Sequence, residues 1–539
     1  MSSSKSVIVV GSGPAAAGAV HALLAQGHAV TVLDVGNHLE KNTDDLVRRM
    51  ATSPPENWNP ADLDKITARG ASETETVHSK RSYGSNFAFE DLGNALGVDW
   101  DGPKCFNYSL AFGGLSNLWG SSMLPYRASD IADWPIALTD LAPHYRRIME
   151  LVPCTDGRSD DIDEILPGYS EQSNRLQPSR QGQRLLDDLE KHRSSLLRAG
   201  IRAGRSRVAI QASPTTAGAG CQYCGLCLSG CPYGLIYSSA QSFARWIHEK
   251  QIAYLPGHMV EHVAQSGHRA KVKGIRMADQ NPFEMEADKV FLACGVLPTA
   301  RIVLNSRDDH CGSLTLRDSQ YFIYPLLRFK SAGDVASERM HTTSQVFVEV
   351  EDPRISRHLV HLQWYGYSDF LRDEIMRTPL RVPLRWKWLR DRFFGRLMIA
   401  QGFMHSDESG HIRLTRMRGA GGRLRMQAKP VRSLRSLVVV LALGAKLLRH
   451  TWNLGGLVLV PGVKIPRPGS GYHSGGTFPM RDHPGPGETD TFGRLDDWES
   501  IHIVDSSIFP SIPATSIVMS SMANAHRIAH EACKPLLNP

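Results

Sequence analysis

The chain has 539 residues, of which 42% are hydrophobic, 21% charged and 8% aromatic. That balance describes a folded protein of several domain-sized units and excludes a wholly disordered, collagen-like or coiled-coil chain. Its 61 Lys and Arg exceed its 54 Asp and Glu by only 7, too little over so large a surface to argue for nucleic-acid binding. The excess is local: residues 381–450 hold sixteen Lys and Arg against three Asp and Glu, so the rest of the chain is net acidic.

The opening segment, SVIVVGSGPAAAGAVHALLAQGHAVTVLD, reads as an apolar strand, a Gly-rich turn, an Ala-rich helix ending near Gly27 and a β-branched strand closed by Asp34. Gly11, Gly13 and Ala16 stand in the order G-x-G-x-x-G/A, and Asp34 follows Ala16 by 18 residues. Gly11 permits the tight turn, and Gly13 lets backbone N–H groups approach a pyrophosphate at the positive end of the helix. Ala16 keeps the helix close to its sheet, and the Asp34 carboxylate accepts hydrogen bonds from a ribose. With no basic residue beside Asp34, an unphosphorylated ribose is favoured, as in FAD or NAD; the alternative is a Gly-rich turn in an empty α/β unit. The preceding MSSSKS lacks the separate regions of a signal peptide. Four of nine cysteines fall within eleven residues, a cofactor pattern rather than a disulfide framework, so a reducing, cytoplasmic setting is expected.

Ala51 to Ala71 is polar, Pro-containing and aperiodic, and is expected to be a surface loop. A second Gly-rich run, AFGGLSNLWGSSMLPY, spans Ala111 to Tyr126, and an amphipathic helix is expected from about Thr139. Cys221, Cys224, Cys227 and Cys231, followed by Pro232, give C-x2-C-x2-C-x3-C-P, the spacing with which bacterial ferredoxins hold iron-sulfur clusters. Gly225, Gly230 and Gly234 let the loop wrap a compact core, and Pro232 restricts its exit. A single run permits one cluster with three or four ligands; a four-thiolate zinc site and no metal at all are the alternatives.

KVFLACGVLPTARIVLNS repeats the strand, glycine and helix pattern at residues 289–306, and IHIVDSSIFPSIPATS precedes a long apolar helix at the C-terminus. The expected fold is α/β: a Rossmann-like domain discontinuous over residues 1–309 and 469–539, carrying the cysteine loop at 215–240, and a sheet-based α+β substrate domain at 310–468. Within the latter, LRWKWLRDRFFGRLMIA places Trp386, Leu389, Phe393 and Leu397 on one face of a helix with Arg385, Lys387, Arg392 and Arg396 around it. That pattern reads as interfacial, the alternative being a packed helix with solvated arginines. Leu437 to Ala445 is apolar but half a membrane span long, so no transmembrane helix is expected. No internal repeat and no phosphate-binding P-loop is present, which excludes ATP chemistry of that type.

VIVVGSGPAAAG, GGLSNLWG, HSGGTFPM (His473 to Met480, H-x-x-G-T-x-x-M) and VDSSIFPSIPATS together resemble the glucose-methanol-choline family of FAD-dependent oxidoreductases, over nearly the whole chain. The resemblance implies an FAD domain assembled from distant segments and a substrate domain whose sheet covers the flavin ring. It implies that Gly11, Gly13 and Ala16 hold pyrophosphate and that Asp34 holds the adenosine ribose. Gly113, Gly114, Ser116 and Asn117 would then meet the central cofactor, Val260 makes a further cofactor contact, and Asp505 and Ser506 meet the ribityl end. His473 falls where the family places the base that takes a hydroxyl proton while hydride passes to flavin N5. Ser516 stands where the family usually has a second catalytic His or Asn; Asn524 and His526 lie too far along. A serine cannot accept the proton at neutral pH, so His473 carries the base role alone and Ser516 orients the alcohol. GGLSNLW is similar to the pyranose-oxidising branch, and Leu118 fills the place of a flavin-linking His, so the FAD is expected to be non-covalent. Trp119 is read as either a flavin contact or core packing.

Sugar and gluconate dehydrogenases of the family carry a three-iron cluster near the same place, so the cysteines are expected to hold a 3Fe-4S or 4Fe-4S cluster, while relatives in the steroid-oxidising branch have similar cysteines of uncertain use. The activity implied is an FAD-dependent dehydrogenase of a sugar, polyol or glycan hydroxyl. Its electrons would pass through the cluster to a protein or quinone acceptor. The alternatives are an oxidase or dehydrogenase of a sterol-like or lipid-linked alcohol, and a flavin-bearing subunit without activity, a reading that rests on Ser516. Residues 381–450 are expected to meet a redox partner or a membrane surface, and export bound to a partner subunit stays open.

Overall fold

A computed structural model describes residues 4–68, 81–90, 92–155, 160–169, 173–216, 218–307, 313–419 and 424–534. The opening unit folds as its pattern predicts: β1 (Ser6–Val10), α1 (Pro14–Ala25) and β2 (Ala29–Leu33). Pro14 suits the first helical turn, where its missing N–H would have had no intrahelical partner. Gly27, at φ 76°, takes the left-handed turn that follows the helix. β3 (Ile252–Leu255) and β4 (Lys289–Leu292) extend the sheet on opposite sides, and the strand Ile501–Ile503 completes it. The order is Ile501–Ile503, β4, β1, β2, β3, all parallel. Both faces are covered, which is why these strands are continuous runs of Val, Ile and Leu. α2 (Val296–Ser306) follows β4 after Gly295, whose φ of 88° is the left-handed geometry that the strand-to-helix turn requires.

A second, six-stranded antiparallel sheet is built from β5 (Tyr321–Arg328), β6 (Val346–Val350), β7 (Val360–Tyr365), β8 (Leu397–Phe403), the short strand Gly456–Val458 and the strand Ile201–Arg205. Its order is Gly456–Val458, β5, β8, β7, β6, Ile201–Arg205. One face carries Phe322, Tyr324, Leu326, Val346, Val348, Leu362, Trp364, Met398 and Ala400, packed with Leu185, Leu189, Val439, Val440, Leu443 and Leu447 of covering helices. The alternate residues, including Tyr321, His361, Gln363, Tyr365 and Phe403, point the other way. Ile201–Arg205 pairs with β6, so this stretch, well before residue 310 in the chain, adds an edge strand to the second sheet. The expected boundary near residue 310 lies outside the described residues.

Two expectations change. Residues 51–68 are not a plain loop, because Asn59 caps a helix at Pro60–Thr67; residues 69–71 lie outside the described residues. LRWKWLRDRFFGRLMIA is not one helix. It contributes α3 (Arg381–Leu384, with which it overlaps at Leu384), α4 (Lys387–Phe394) and then β8, so Leu397 is a buried strand residue paired with Leu327. Gly395 ends the helix, where a Cβ would press against the Gly333 carbonyl at 2.8 Å. The apolar run Leu437 to Ala445 lies in α5 (Leu434–Arg449), and among the described residues no helix is long and apolar enough to cross a membrane. The chain ends in the buried helix α6 (Ile517–Cys533), packed on α1. A Cβ at Gly18 would run into the Met522 carbonyl, so a bare glycine sets the close approach of α1 and α6.

Candidate active site

The turn between β1 and α1 opens onto a cleft with an empty volume of about 1260 Å3, partly continuous with solvent. Gly11 has φ 99° and backs onto the Ala293 carbonyl, 2.8 Å from where a Cβ would stand, whereas Gly13 has open space there. The α1 N-terminus can therefore receive a diphosphate without a side chain in the way. Ala16 is fully buried at the sheet. Asp34 and Val260 also line the cleft. One oxygen of Asp34 accepts hydrogen bonds from Ser12 Oγ and, at 3.0 Å, from the Tyr254 hydroxyl. Burial outweighs these bonds and pushes its pKa up to about 7. A carboxyl in that state gains from further donors, which ribose hydroxyls supply.

The second Gly-rich run turns beside this site. Ser12 Oγ accepts the Gly113 N–H at 2.9 Å, linking the two loops, and Gly113 and Gly114 both have positive φ. Gly114 and Leu115 line the cleft. Ser116 and Asn117 do not face it as expected: Ser116 Oγ donates to the Gly113 carbonyl at 2.5 Å, and Asn117 Nδ2 donates to the carbonyls of Phe112 and Gly114. Both side chains hold the turn. The Trp119 indole donates to the Tyr237 carbonyl at 2.8 Å, which ties it to the segment leaving the cysteine loop.

Farther along the cleft, Asp505 and Ser506 are part of the lining. The Asp505 carboxylate accepts from the N–H groups of Gly295 and Ser507 and from Thr299 Oγ1, so it fixes the start of α2, while Ser506 Oγ donates to the Ser474 carbonyl at 2.7 Å. These segments, remote in sequence, thus meet behind His473. Buried Asp318 accepts from Gly469 N–H and Ser474 Oγ, and the Ser319 N–H bonds to the His473 carbonyl. His473 stands between Tyr472 and Ser474, both of which line the cleft.

The His473 ring stacks on Phe403 with centroids 4.6 Å apart, and its Nδ1 is enclosed without a protein partner. Burial, with a smaller contribution from nearby His361, lowers its pKa to about 3, so the imidazole is neutral at physiological pH. Behind Phe403, on the same face of the second sheet, runs a polar chain with no sequence motif: Glu349 Oε1 to His361 Nδ1 at 2.6 Å, His361 Nε2 to Gln363 at 3.1 Å, and Tyr365 hydroxyl to Gln363 Oε1 at 2.9 Å. Alternation along β6 and β7 puts all four on one face, a signal visible in sequence only once the strands are paired. The Tyr365 hydroxyl lies 3.6 Å from where a Cβ on Gly120 of the second Gly-rich run would stand.

Ser516 is buried, and its hydroxyl donates to the Ser122 carbonyl at 2.6 Å. It therefore anchors the start of α6 instead of presenting a free hydroxyl. Its neighbour Thr515, overlooked in the sequence, has a fully buried Oγ1 with no partner, next to Ala514, which packs with Tyr321 and Phe403. Asn524 and His526 lie within α6; the former bonds Arg527, and the latter meets His144 at 2.8 Å, away from His473.

The cysteine loop wraps as its glycines require: Gly225, Gly230 and Gly234 have positive φ, as does Tyr223. Tyr223 N–H points at Cys221 Sγ at 3.5 Å and Thr342 N–H at Cys227 Sγ at 3.4 Å. Burial and the mutual repulsion of the thiolates raise Cys221 and Cys224 to about 12 and Cys231 to about 11. Four sulfurs on one zinc ion lie about 3.8 Å apart, given Zn–S bonds near 2.3 Å. Among the described residues the one trio of ligand atoms that converges within 4.8 Å is His358, His405 and Asp407, and the four cysteines are not part of it.

Profiles of the GMC oxidoreductase family match residues 161–308 and 465–525, the second containing His473 and Ser516. No curated protein matches the chain. Among solved structures, pyridoxine 4-oxidase from Mesorbium loti shares the fold, with a TM-score of 0.59 and 15% identity over 98% of this chain and 99% of that one. A parallel sheet opening on a cleft shaped for a dinucleotide, and two family profiles that take in β3, β4 and the strand Ile501–Ile503 of that sheet, lead to one conclusion. The chain belongs to the glucose-methanol-choline (GMC) oxidoreductase family of FAD-dependent enzymes that oxidise CH–OH groups.

Proposed function

We propose that the protein is a dehydrogenase of a sugar, polyol or glycan hydroxyl, with His473 as the base. The observation that carries this reading is the neutral His473 imidazole, stacked on Phe403 and set between Tyr472 and Ser474, which line the cleft. Gly11, Gly13 and Asp34 would hold the diphosphate and ribose of FAD, and Gly114, Leu115 and Ser506 its remainder; bound there, the flavin supplies the hydride acceptor. His473 takes the hydroxyl proton on the nitrogen that is not enclosed, and Phe403 fixes its ring plane. The rings of Phe403, on which His473 stacks, and of Tyr321 beside it would suit the C–H faces of such a substrate. Anaerobic mixing with a panel of aldoses, polyols, long-chain alcohols and sterols tests this: bleaching of the flavin band by the first two groups supports the reading, and bleaching by sterols or long-chain alcohols alone overturns it.

For the four cysteines we infer an iron-sulfur cluster that would pass electrons singly to an acceptor. Their sequence spacing and the N–H groups that Tyr223 and Thr342 direct at two of the sulfurs support it. Iron and acid-labile sulfide measured on anaerobically purified protein decide: three or four irons per flavin agree with this role, and zinc or no metal refutes it.

A further inference from the structure

The exposed large apolar side chains are not scattered. Of those on the surface, Leu380, Val382, Trp386 and Trp388 flank or belong to α3 and α4, and Leu434, Leu437, Val438, Leu441 and Leu448 form the outer stripe of α5. Trp386, Trp388 and Leu434 are 57%, 68% and 85% exposed. A single exposed leucine is ordinary, but a concentration of this kind marks an interaction surface. The inner face of α5 is fixed to the second sheet by Val439, Val440, Leu443 and Leu447 and by the buried Lys446–Asp352 pair at 2.6 Å. The outer stripe is thus held rigidly toward solvent. Trp452, 77% exposed, packs at a tilt against Phe329, ring centroids 4.8 Å apart, just beyond α5. The chain around Phe329 is bonded to Gly455 on one side and, through Arg328 and Ala332, to Arg396 and Gly395 on the other, so the two exposed segments adjoin there.

The charges beside these residues are predominantly positive. Asp391 is the one acid between Glu374 and Asp407, and it is paired with Lys387; no acid occurs between Glu408 and Asp482. Arg381, Arg385 and Arg392 lie exposed around the tryptophans and Arg432 and Arg449 at the ends of α5. Arg385 sits over the Trp386 ring at 5.2 Å. Tryptophan, leucine and valine between arginines, with the nearby acids Asp391 and Asp334 both set against Lys387, match the headgroup layer of a bilayer: rings at the boundary, apolar tips below, cations at phosphate level.

We propose that the protein docks peripherally on an anionic lipid bilayer through α3, α4 and the outer face of α5. This stands apart from the substrate reading. The test is flotation of the FAD-loaded protein with vesicles of phosphatidylcholine alone and with phosphatidylglycerol added, at low and high salt, alongside light scattering. The expected result is binding to the anionic vesicles that weakens with salt. Trp386→Ser with Trp388→Ser, Leu437→Gln with Leu441→Gln, and Arg385→Glu with Arg392→Glu should each lower partition by at least about fivefold with flavin content unchanged. Failure of the wild type to float with anionic vesicles overturns the proposal. So does binding that all three pairs of substitutions leave intact, or a dimer that the leucine pair dissociates in a chain that does not bind vesicles, which would assign the stripe to a second copy.

Discussion

With Asp34 holding the adenosine ribose as proposed, FAD affinity should depend on pH. Its pKa near 7 in the ligand-free protein, against an ordinary 3.8, means that the folded state holds the proton about three units more tightly than an unperturbed carboxyl does. At about 1.4 kcal/mol per unit, the ionised form is disfavoured by roughly 4 kcal/mol, and the stability it contributes when protonated is lost as pH rises from about 4 through 7. Ribose hydroxyls would donate to the ionised carboxylate, so FAD binding should draw the pKa back down and release a proton. Affinity should rise with pH by up to about tenfold per unit below pH 7 and then level off. Asp34→Asn, neutral at every pH, should flatten this profile and weaken FAD at pH 8 by about a hundredfold or more. Equilibrium titration of the apoprotein with FAD from pH 5 to 8, followed by flavin fluorescence, measures both. A wild-type affinity that does not change over this range, or an Asp34→Asn protein that keeps the slope, refutes the reasoning.

Gly18→Ala should destabilise by about 1–3 kcal/mol, seen as a lower urea midpoint, because the new methyl meets the Met522 backbone where α1 and α6 touch. Ser516→Ala should lower stability through loss of its bond to the Ser122 carbonyl while leaving KM nearly unchanged, whereas Thr515→Val should change KM or flavin reduction with little loss of stability. Because His473 is lowered to about 3 from 6.5, its burial in the neutral form stabilises the fold above pH 6.5, and this is lost progressively as pH falls toward 3. The flavin-reduction rate should accordingly show no acid limb from this residue between pH 5.5 and 8, by stopped-flow at constant ionic strength.

Much of the dinucleotide unit was legible because each of its signals is local: Gly11, Gly13 and Asp34 lie within one strand-turn-helix-strand stretch whose period changes from 2 to 3.6 and back. The cysteine loop was legible for the same reason. The segment from Trp386 to Leu397 was misread because its apolar spacing satisfies a helix, while the break depends on Gly395 passing beneath Ser331 and Gly333, contacts that are remote in sequence. The Glu349, His361, Gln363 and Tyr365 chain carries no motif and exists only because β6 and β7 pair in one register. Ser116 and Asn117 matched the family pattern, yet their side chains serve the turn, a distinction that spacing cannot make.

Whether His473 is the base in an FAD-dependent oxidation of a hydroxyl is tested most directly by anaerobic stopped-flow on the wild type and His473→Ala at equal flavin content, using the alcohol in the panel that bleaches the flavin fastest. Reduction slower by about 10²- to 10⁴-fold in the variant is the predicted result. Equal rates in the two proteins, or a flavin that every alcohol leaves oxidised, would contradict the account.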